Sequence, residues 1–303
     1  MKALVALDEI RKSRRSERPE GARRRLPSWF KVKIQQGSGY LDIRQNVDQG
    51  GLHTICEEAR CPNIWECWNN RTATFLILGD ICTRRCHYCA VNTGRPEALD
   101  TGEPARVAKA VQALTLRHAV ITSVNRDDLS DGGASVFVET IRQIRYKVPS
   151  CTIEVLIPDF QGNASALASV MEAGPDILNH NIETVPRLFP TIRPQGKFDR
   201  SLELLKRAKK LGGTTKSGLM AGLGESMGEL REVMDILRKA GCDILTIGQY
   251  LQPTKDHEPV HQFYTPEEFQ SLKREGLDLG FRHVESGPLV RSSYHAEQQT
   301  EKA

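Results

Sequence analysis

Six short runs rich in Val, Ile, Leu and Thr, at about 74–79, 118–124, 152–158, 177–182, 214–221 and 244–250, alternate with segments of helical spacing, and this alternation limits the possible folds most. Phe137, Ile141, Ile144 and Val148 make one helical stripe, and Leu230, Val233, Met234 and Leu237 make another. Parallel neighbours require long crossovers, so strand–helix units in series predict an α/β fold with an open parallel sheet, a partial (β/α)6 TIM-type barrel. A last helix is expected near 265–280, followed by an apolar piece around His283–Val284. The 303 residues hold one such barrel with extensions. The expected divisions are a basic arm (1–27), an N-terminal extension (28–73), the barrel (74–282) and a tail (283–303), with the extension and the tail on opposite flanks of the barrel mouth.

Polar or glycine-rich clusters follow nearly every expected strand. They are Asn125-Arg126-Asp127-Asp128 and Gly132-Gly133 after the second, Pro158-Asp159 after the third, Asn179-His180-Asn181-Ile182-Glu183 after the fourth and Gly222-Leu223-Gly224-Glu225 after the fifth. Barrels of this kind keep their active sites at that end, although the same residues can also cap the following helices. After the first run comes Cys82-Thr83-Arg84-Arg85-Cys86-His87-Tyr88-Cys89, with C-x3-C-x2-C spacing. Upstream, Cys56, Cys61 and Cys67 form a second trio at C-x4-C-x5-C, so six of the eight cysteines fall within residues 56 to 89. Such clustering favours metal binding in a reducing compartment over disulfides. Zinc is the competitor at both trios, but His87 shares a tight loop with Cys86 and Cys89 and would have difficulty closing a tetrahedron. An iron–sulfur cube fits better, because three cysteines hold three irons and leave the fourth open. Cys151 and Cys242 have no partners at useful spacing and read as small apolar residues.

Charge separates the arm from the rest. Residues 1–36 carry 11 Lys/Arg against 4 Asp/Glu, a charge of +7, so with +4 for the whole chain the remainder carries −3. The arm is expected to be mobile, and without aromatic residues among its charges it makes a poor nucleic-acid binder; an acidic protein partner suits it better. No apolar run reaches the length needed to span a bilayer, and the start is too short and too charged for a leader peptide. The expectation is a cytoplasmic protein that binds neither membrane nor nucleic acid.

C-x3-C-x2-C with Tyr88 before its last cysteine resembles the signature of the radical S-adenosylmethionine enzymes, as do the Gly132-Gly133 turn and Gly218-x-Met220-x-Gly222-x-x-Glu225. The second trio together with Arg291-Ser292-Ser293-Tyr294 looks like the lipoyl synthase family, over about residues 28 to 296. The basic arm is left unexplained. The resemblance implies that Cys82, Cys86 and Cys89 hold a reducing 4Fe-4S cluster. It implies S-adenosylmethionine contacts at Tyr88, Gly132, Gly133 and Glu225; Asn125 and Asn181 are expected beside them from their strand-end positions alone, where they can contact the same cofactor or cap the following helices. It further implies that Cys56, Cys61 and Cys67, with Ser293 as fourth ligand, hold an auxiliary 4Fe-4S cluster that donates sulfur, and that Ser293 is catalytic with the first trio. The implied reaction inserts two sulfurs at C6 and C8 of a protein-bound octanoyl-lysine, using two S-adenosylmethionine. Those carbons are unactivated, and no side-chain base removes such a proton at neutral pH, so a cofactor-derived radical is required. Implied partners are octanoylated carrier domains (2-oxoacid dehydrogenase acyltransferase subunits, glycine cleavage H protein), an electron donor such as flavodoxin or ferredoxin, and an iron–sulfur carrier protein.

Overall fold

The computed structural model describes residues 26–32, 34 and 37–300. Residues 1–25, most of the expected arm, lie outside the described residues. The chain divides into two compact units, 1–31 and 32–303. The described part of the first contains one 3-10 turn, Ser28–Phe30.

The second unit is built on strands β1 (His53–Thr54), β2 (Thr74–Ile77), β3 (Ile81–Cys82), β4 (Asn92–Thr93), β5 (His118–Ser123), β6 (Thr152–Leu156), β7 (Ile177–Asn179), β8 (Thr215–Ala221), β9 (Ile244–Gln249) and β10 (His283–Gly287). The main sheet runs β1-β2-β5-β6-β7-β8-β9-β10, while β3 and β4 form a separate parallel pair. Every pairing in the main sheet is parallel except β1 with β2. Its edges, β1 and β10, do not pair with each other, so the barrel is open. Helices cover the sheet, which is why β9 is buried along its whole length and reads as a continuous apolar run. The two expected stripes lie on helices Ala134–Lys147 and Met227–Lys239, except that Val148 falls just past the end of the first and is half-buried; Phe137, Ile141, Ile144, Leu230, Val233, Met234 and Leu237 are all buried. Capping boxes at Ser226 and Thr265 start the Met227–Lys239 and Pro266–Asp278 helices by satisfying their free N–H groups.

All six expected strands are present, and β10 adds a seventh parallel one. It pairs with β9 in register from His283↔Ile244 to Gly287↔Gly248. Only alternate residues of β10 are buried, so its apolar signal is half as dense as that of the inner strands. The expected tail at 283–303 therefore opens with a sheet strand, and the tail proper starts at Pro288.

A second expectation is overturned. The N-terminal cysteine segment and the tail do not take opposite flanks; they meet. Asn63 Nδ2 donates to the Leu289 carbonyl at 2.6 Å, and Tyr294 Oη donates to Glu66 Oε1 at 3.1 Å. The reversal is local: Val290 N–H bonds back to the Gly287 carbonyl, and a Cβ on Gly248 would overlap the Val290 carbonyl oxygen. A bare glycine in β9 lets the returning backbone cross the strand.

Below the mouth the interior is closed by a buried ionic group. Lys216 Nζ donates to Glu154 Oε2 at 2.9 Å, and Asn179 Nδ2 donates to Glu154 Oε1 at 2.8 Å. Both Lys216 and Glu154 side chains are 0% exposed. Burial alone would raise the Glu154 pKa, but Lys216 and His118 hold it down at about 2, so the pair is ionised.

Candidate active site

A cavity of about 480 Å³ opens at the C-terminal ends of the strands. Its size suits a cofactor-sized ligand. Cys82, Cys86 and Cys89 line one wall, Cys56 and Cys61 another, and Ser292 and Ser293 of the tail close a third. The 82–89 loop is held by its backbone. Thr83 N–H bonds to the Asn125 carbonyl at 3.0 Å, His87 N–H to the Ile192 carbonyl at 3.0 Å, and Glu258 N–H to the His87 carbonyl at 2.9 Å. His87 is exposed and does not line the cavity, so it offers no fourth ligand to the first trio.

The second trio sits on two short helices, Ile55–Glu58 and Ile64–Asn69, joined by a turn in which Cys61 N–H bonds to the Cys56 carbonyl at 2.9 Å. Cys56, Cys61, Cys67 and Ser293 share a separate small pocket of about 10 Å³, and Arg291 borders both spaces. Burial pushes the Cys56 and Cys89 thiols up to about 12 and raises Cys61, Cys67 and Cys86 as well. They therefore stand as neutral thiols, and loading a metal centre must release their protons.

The cavity also holds polar groups in excess of their partners. Ser123 Oγ, Asn125 Oδ1, Asn181 Oδ1 and Arg193 Nε are buried without a hydrogen-bond partner among the described residues, and all four residues line the cavity. Arg193 Nη1 donates to the Asn181 carbonyl at 2.9 Å. Burial works against the charge of Arg193, and the Glu183 carboxyl nearby works for it. The pKa of the Glu183 carboxyl is raised, chiefly by its burial, and its backbone is held at a φ of 71°. Gly218 lines the same wall, and a Cβ there would stand 2.7 Å from Asn181 Oδ1.

Not every expected contact reaches the cavity. Tyr88, Asn125 and Asn181 line it; Gly132, Gly133 and Glu225 do not. The two glycines take left-handed φ values of 62° and 88°, and a Cβ on Gly133 would overlap Leu78 Cδ1, so they let the start of the Ala134–Lys147 helix pass close against Leu78. The Glu225 carboxylate accepts the N–H groups of Gly222 at 2.6 Å and Leu223 at 2.9 Å, closing its own loop. Arg84, although inside the cysteine motif, and Arg193 carried no expectation from sequence; only their burial beside the cavity marks them. Cys151 and Cys242 are buried as small apolar residues, as expected.

Three thiols on one loop, beside unpartnered polar atoms in an enclosed space, fit a cube with one open iron and a polar ligand chelating it. Among the described residues no group of three His, Cys, Asp or Glu converges to hold a single metal ion. Thiols that hold a cube need not converge, since each binds a different iron.

An open parallel barrel with this loop at its mouth defines a radical S-adenosylmethionine enzyme. The family model described as the radical SAM superfamily matches residues 76–237. Among solved structures, methylornithine synthase shares the fold with a TM-score of 0.54 at 15% identity, covering 84% of this chain and 82% of that one. The FeFe-hydrogenase maturase from Carboxydothermus hydrogenoformans does so with a TM-score of 0.53 at 17% identity, covering 87% and 78%. The chain belongs, more narrowly, to the lipoyl synthase family. A lipoyl synthase from Rubrobacter xylanophilus is 60% identical over 94% of this chain and 90% of its own length, and one from Symbiobacterium thermophilum is 60% identical over 92% and 88%. A model for the N-terminal domain of lipoyl synthase matches residues 5–61, so most of the basic arm belongs to the family pattern after all. The chain is thus a sulfur-inserting enzyme that acts on lipoyl carrier proteins.

Proposed function

We propose that Cys82, Cys86 and Cys89 hold the 4Fe-4S cluster that works with S-adenosylmethionine, that Cys56, Cys61, Cys67 and Ser293 hold the sulfur-donating cluster, and that both serve sulfur insertion at C6 and C8 of a lysine-linked octanoyl chain. The observation that carries the assignment is the shared cavity: the first trio and Cys56 and Cys61 of the second line it, and Ser293 borders it while sharing the small pocket that holds all three cysteines of the second trio. When bound, the clusters and S-adenosylmethionine supply the one-electron chemistry that removes hydrogen from an unactivated carbon and the sulfur that replaces it.

The chain's own residues bind, orient and exclude water. Arg193, a buried cation with a spare N–H, suits the carboxylate of S-adenosylmethionine. Asn125, Asn181 and Ser123 turn unpartnered oxygens to its polar groups, and the Tyr88 ring lies in the cavity wall as a face for its base. Gly132, Gly133 and Glu225 act one layer behind, shaping the loops that carry those groups. Ile55, Val91, Leu156 and Val290 make an apolar wall for the octanoyl chain. Residues 28–73 serve as the extension bearing the second trio, 74–282 as the barrel and 283–303 as the segment bringing Ser293 back to it.

The carriers served are acyltransferase subunits of the 2-oxoacid dehydrogenases and the glycine cleavage H protein; flavodoxin or ferredoxin supplies electrons, and an iron–sulfur carrier rebuilds the second cluster. The basic 1–27 arm steers the acidic carrier domain. Eight free cysteines suit the reducing cytoplasm. Among the described residues no helix is long and apolar enough to cross a membrane.

The test is anaerobic iron and sulfide content with electron paramagnetic resonance, on the wild type and on each cysteine trio replaced by alanine, followed by turnover of an octanoyl-lysine peptide. About eight irons per chain should fall to about four in either variant. Zinc in the wild type, or no loss of iron in one variant, would overturn the assignment of that trio.

A further inference from the structure

Arg84 sits between Cys82 and Cys86, and its side chain is 2% exposed. The guanidinium forks onto Asp127, with Nε to Oδ2 at 2.6 Å and Nη2 to Oδ1 at 2.8 Å, and Nη2 also donates to Asp159 Oδ1 at 2.6 Å. Asp159 is fully buried, and its other oxygen accepts from Arg200 Nη1 at 3.2 Å. Asp127 follows β5 and Asp159 follows β6, so one side chain ties the cysteine loop to two strand exits. Planar bidentate geometry of this kind fixes orientation in a way that a lysine ammonium does not.

The pin bears directly on one sulfur. Thr83 Oγ1 donates to the Asn125 carbonyl at 2.9 Å and accepts the Asp127 N–H at 3.0 Å, so the 125–127 segment is clasped to the loop just past the Asn125 N–H. As a result the Asn125 N–H lies 3.3 Å from Cys82 Sγ, and the Arg84 N–H lies 3.4 Å from it. Hydrogen bonds to a ligating sulfur draw charge from it and raise the potential of the cluster it binds. Arg84 Nη1 has no partner among the described residues, and Arg84 lines the cavity, so the guanidinium also keeps N–H groups for a bound ligand.

We propose that Arg84 is a positioning residue for the cluster at 82–89: acting through Asp127 and Asp159, it holds two backbone N–H groups on Cys82 and thereby makes that cluster easier to reduce. The inference rests on the assignment of a 4Fe-4S cluster to Cys82, Cys86 and Cys89.

The experiment is a redox titration of the reconstituted full chain, following the reduced signal that changes when S-adenosylmethionine is added, with iron content and apoprotein melting alongside. Arg84→Gln should move that signal to a more negative midpoint, or lose it, while the signal of the second cluster stays. Arg84→Lys keeps the charge without the fork and should fall between. Should Arg84→Gln fail to fold, Asp159→Asn, which leaves the Asp127 fork in place, should give a smaller shift in the same direction. A wild-type midpoint in Arg84→Gln, or in Asp159→Asn where that variant stands in, overturns the inference, and so does a loss of both clusters in step with apoprotein melting. If the wild type shows no signal responsive to S-adenosylmethionine, or Cys82→Ala keeps one, the cluster assignment itself falls and the inference with it.

Discussion

Replacing Lys216 with Met removes a fully buried cation whose carboxylate partner stays behind. Glu154 would keep one hydrogen bond, from Asn179 Nδ2 at 2.8 Å, with the unpartnered His118 Nε2 at 3.8 Å beyond it. Both side chains of the pair are 0% exposed, so water does not screen the loss. Breaking such a pair from one side costs about 3–5 kcal/mol, a large share of the roughly 5–15 kcal/mol that holds a domain together. In a unit of this size that corresponds to a melting point lower by roughly 6–20 °C. Denaturant and thermal unfolding of the anaerobic apoprotein measure it. Glu154→Gln/Lys216→Met removes both charges and should recover at least half of the loss. The deficit of the single variant should also narrow at acid pH: an unpaired buried carboxylate has a raised folded pKa, so its penalty fades once it is protonated. A loss under about 1 kcal/mol, or a double variant less stable than the single one, would refute the electrostatic account of the barrel floor.

Two further outcomes are expected. His180 is buried, with Nδ1 bonded to the Ile157 carbonyl at 2.8 Å and Nε2 to Ser201 Oγ at 2.9 Å, and burial, aided by the charge of Arg193, lowers its pKa from 6.5 to about 4. The unfolded chain therefore binds that proton first, so stability is full above pH 6.5 and falls by about 2 kcal/mol by pH 5; His180→Gln should flatten this slope, and an unchanged slope would clear His180 of it. Asp159, held at about 2 against its burial chiefly by Arg84, matters only below about pH 4, so the two windows separate. Gly218→Ala places a methyl 2.7 Å from Asn181 Oδ1 and 2.9 Å from Thr246 Oγ1. It should weaken S-adenosylmethionine binding to the reconstituted protein about tenfold while costing about 1–3 kcal/mol of stability. Equal affinity by equilibrium dialysis would remove Asn181 from the cofactor wall.

Burial on both faces left runs rich in apolar residues and threonine at β2 and at β5 to β9, legible one by one even though Glu154 interrupts β6 and Lys216 interrupts β8. β10 was not, because only Val284 and Ser286 of its five residues are buried. The cysteines were legible because ligand spacing on a short loop is itself local. The surroundings of Gly132, Gly133 and Glu225 were not: a glycine turn and a loop carboxylate suit cofactor contact and loop closure equally, and which residues adjoin them is set by the tertiary fold.

Local order along the chain therefore determined the α/β class, the two trios and the chemistry that three thiolates with an open iron permit, since each depends on residues a few positions apart. Tertiary structure alone decided which distant groups share one enclosure. It brought Ser293 to Cys56, Cys61 and Cys67, set Arg84 on carboxylates 43 and 75 residues away, and left Arg193 buried with a spare N–H. Those pairings follow from how far the tail turns back after Gly287 and from which strand exits adjoin, and no local pattern encodes either.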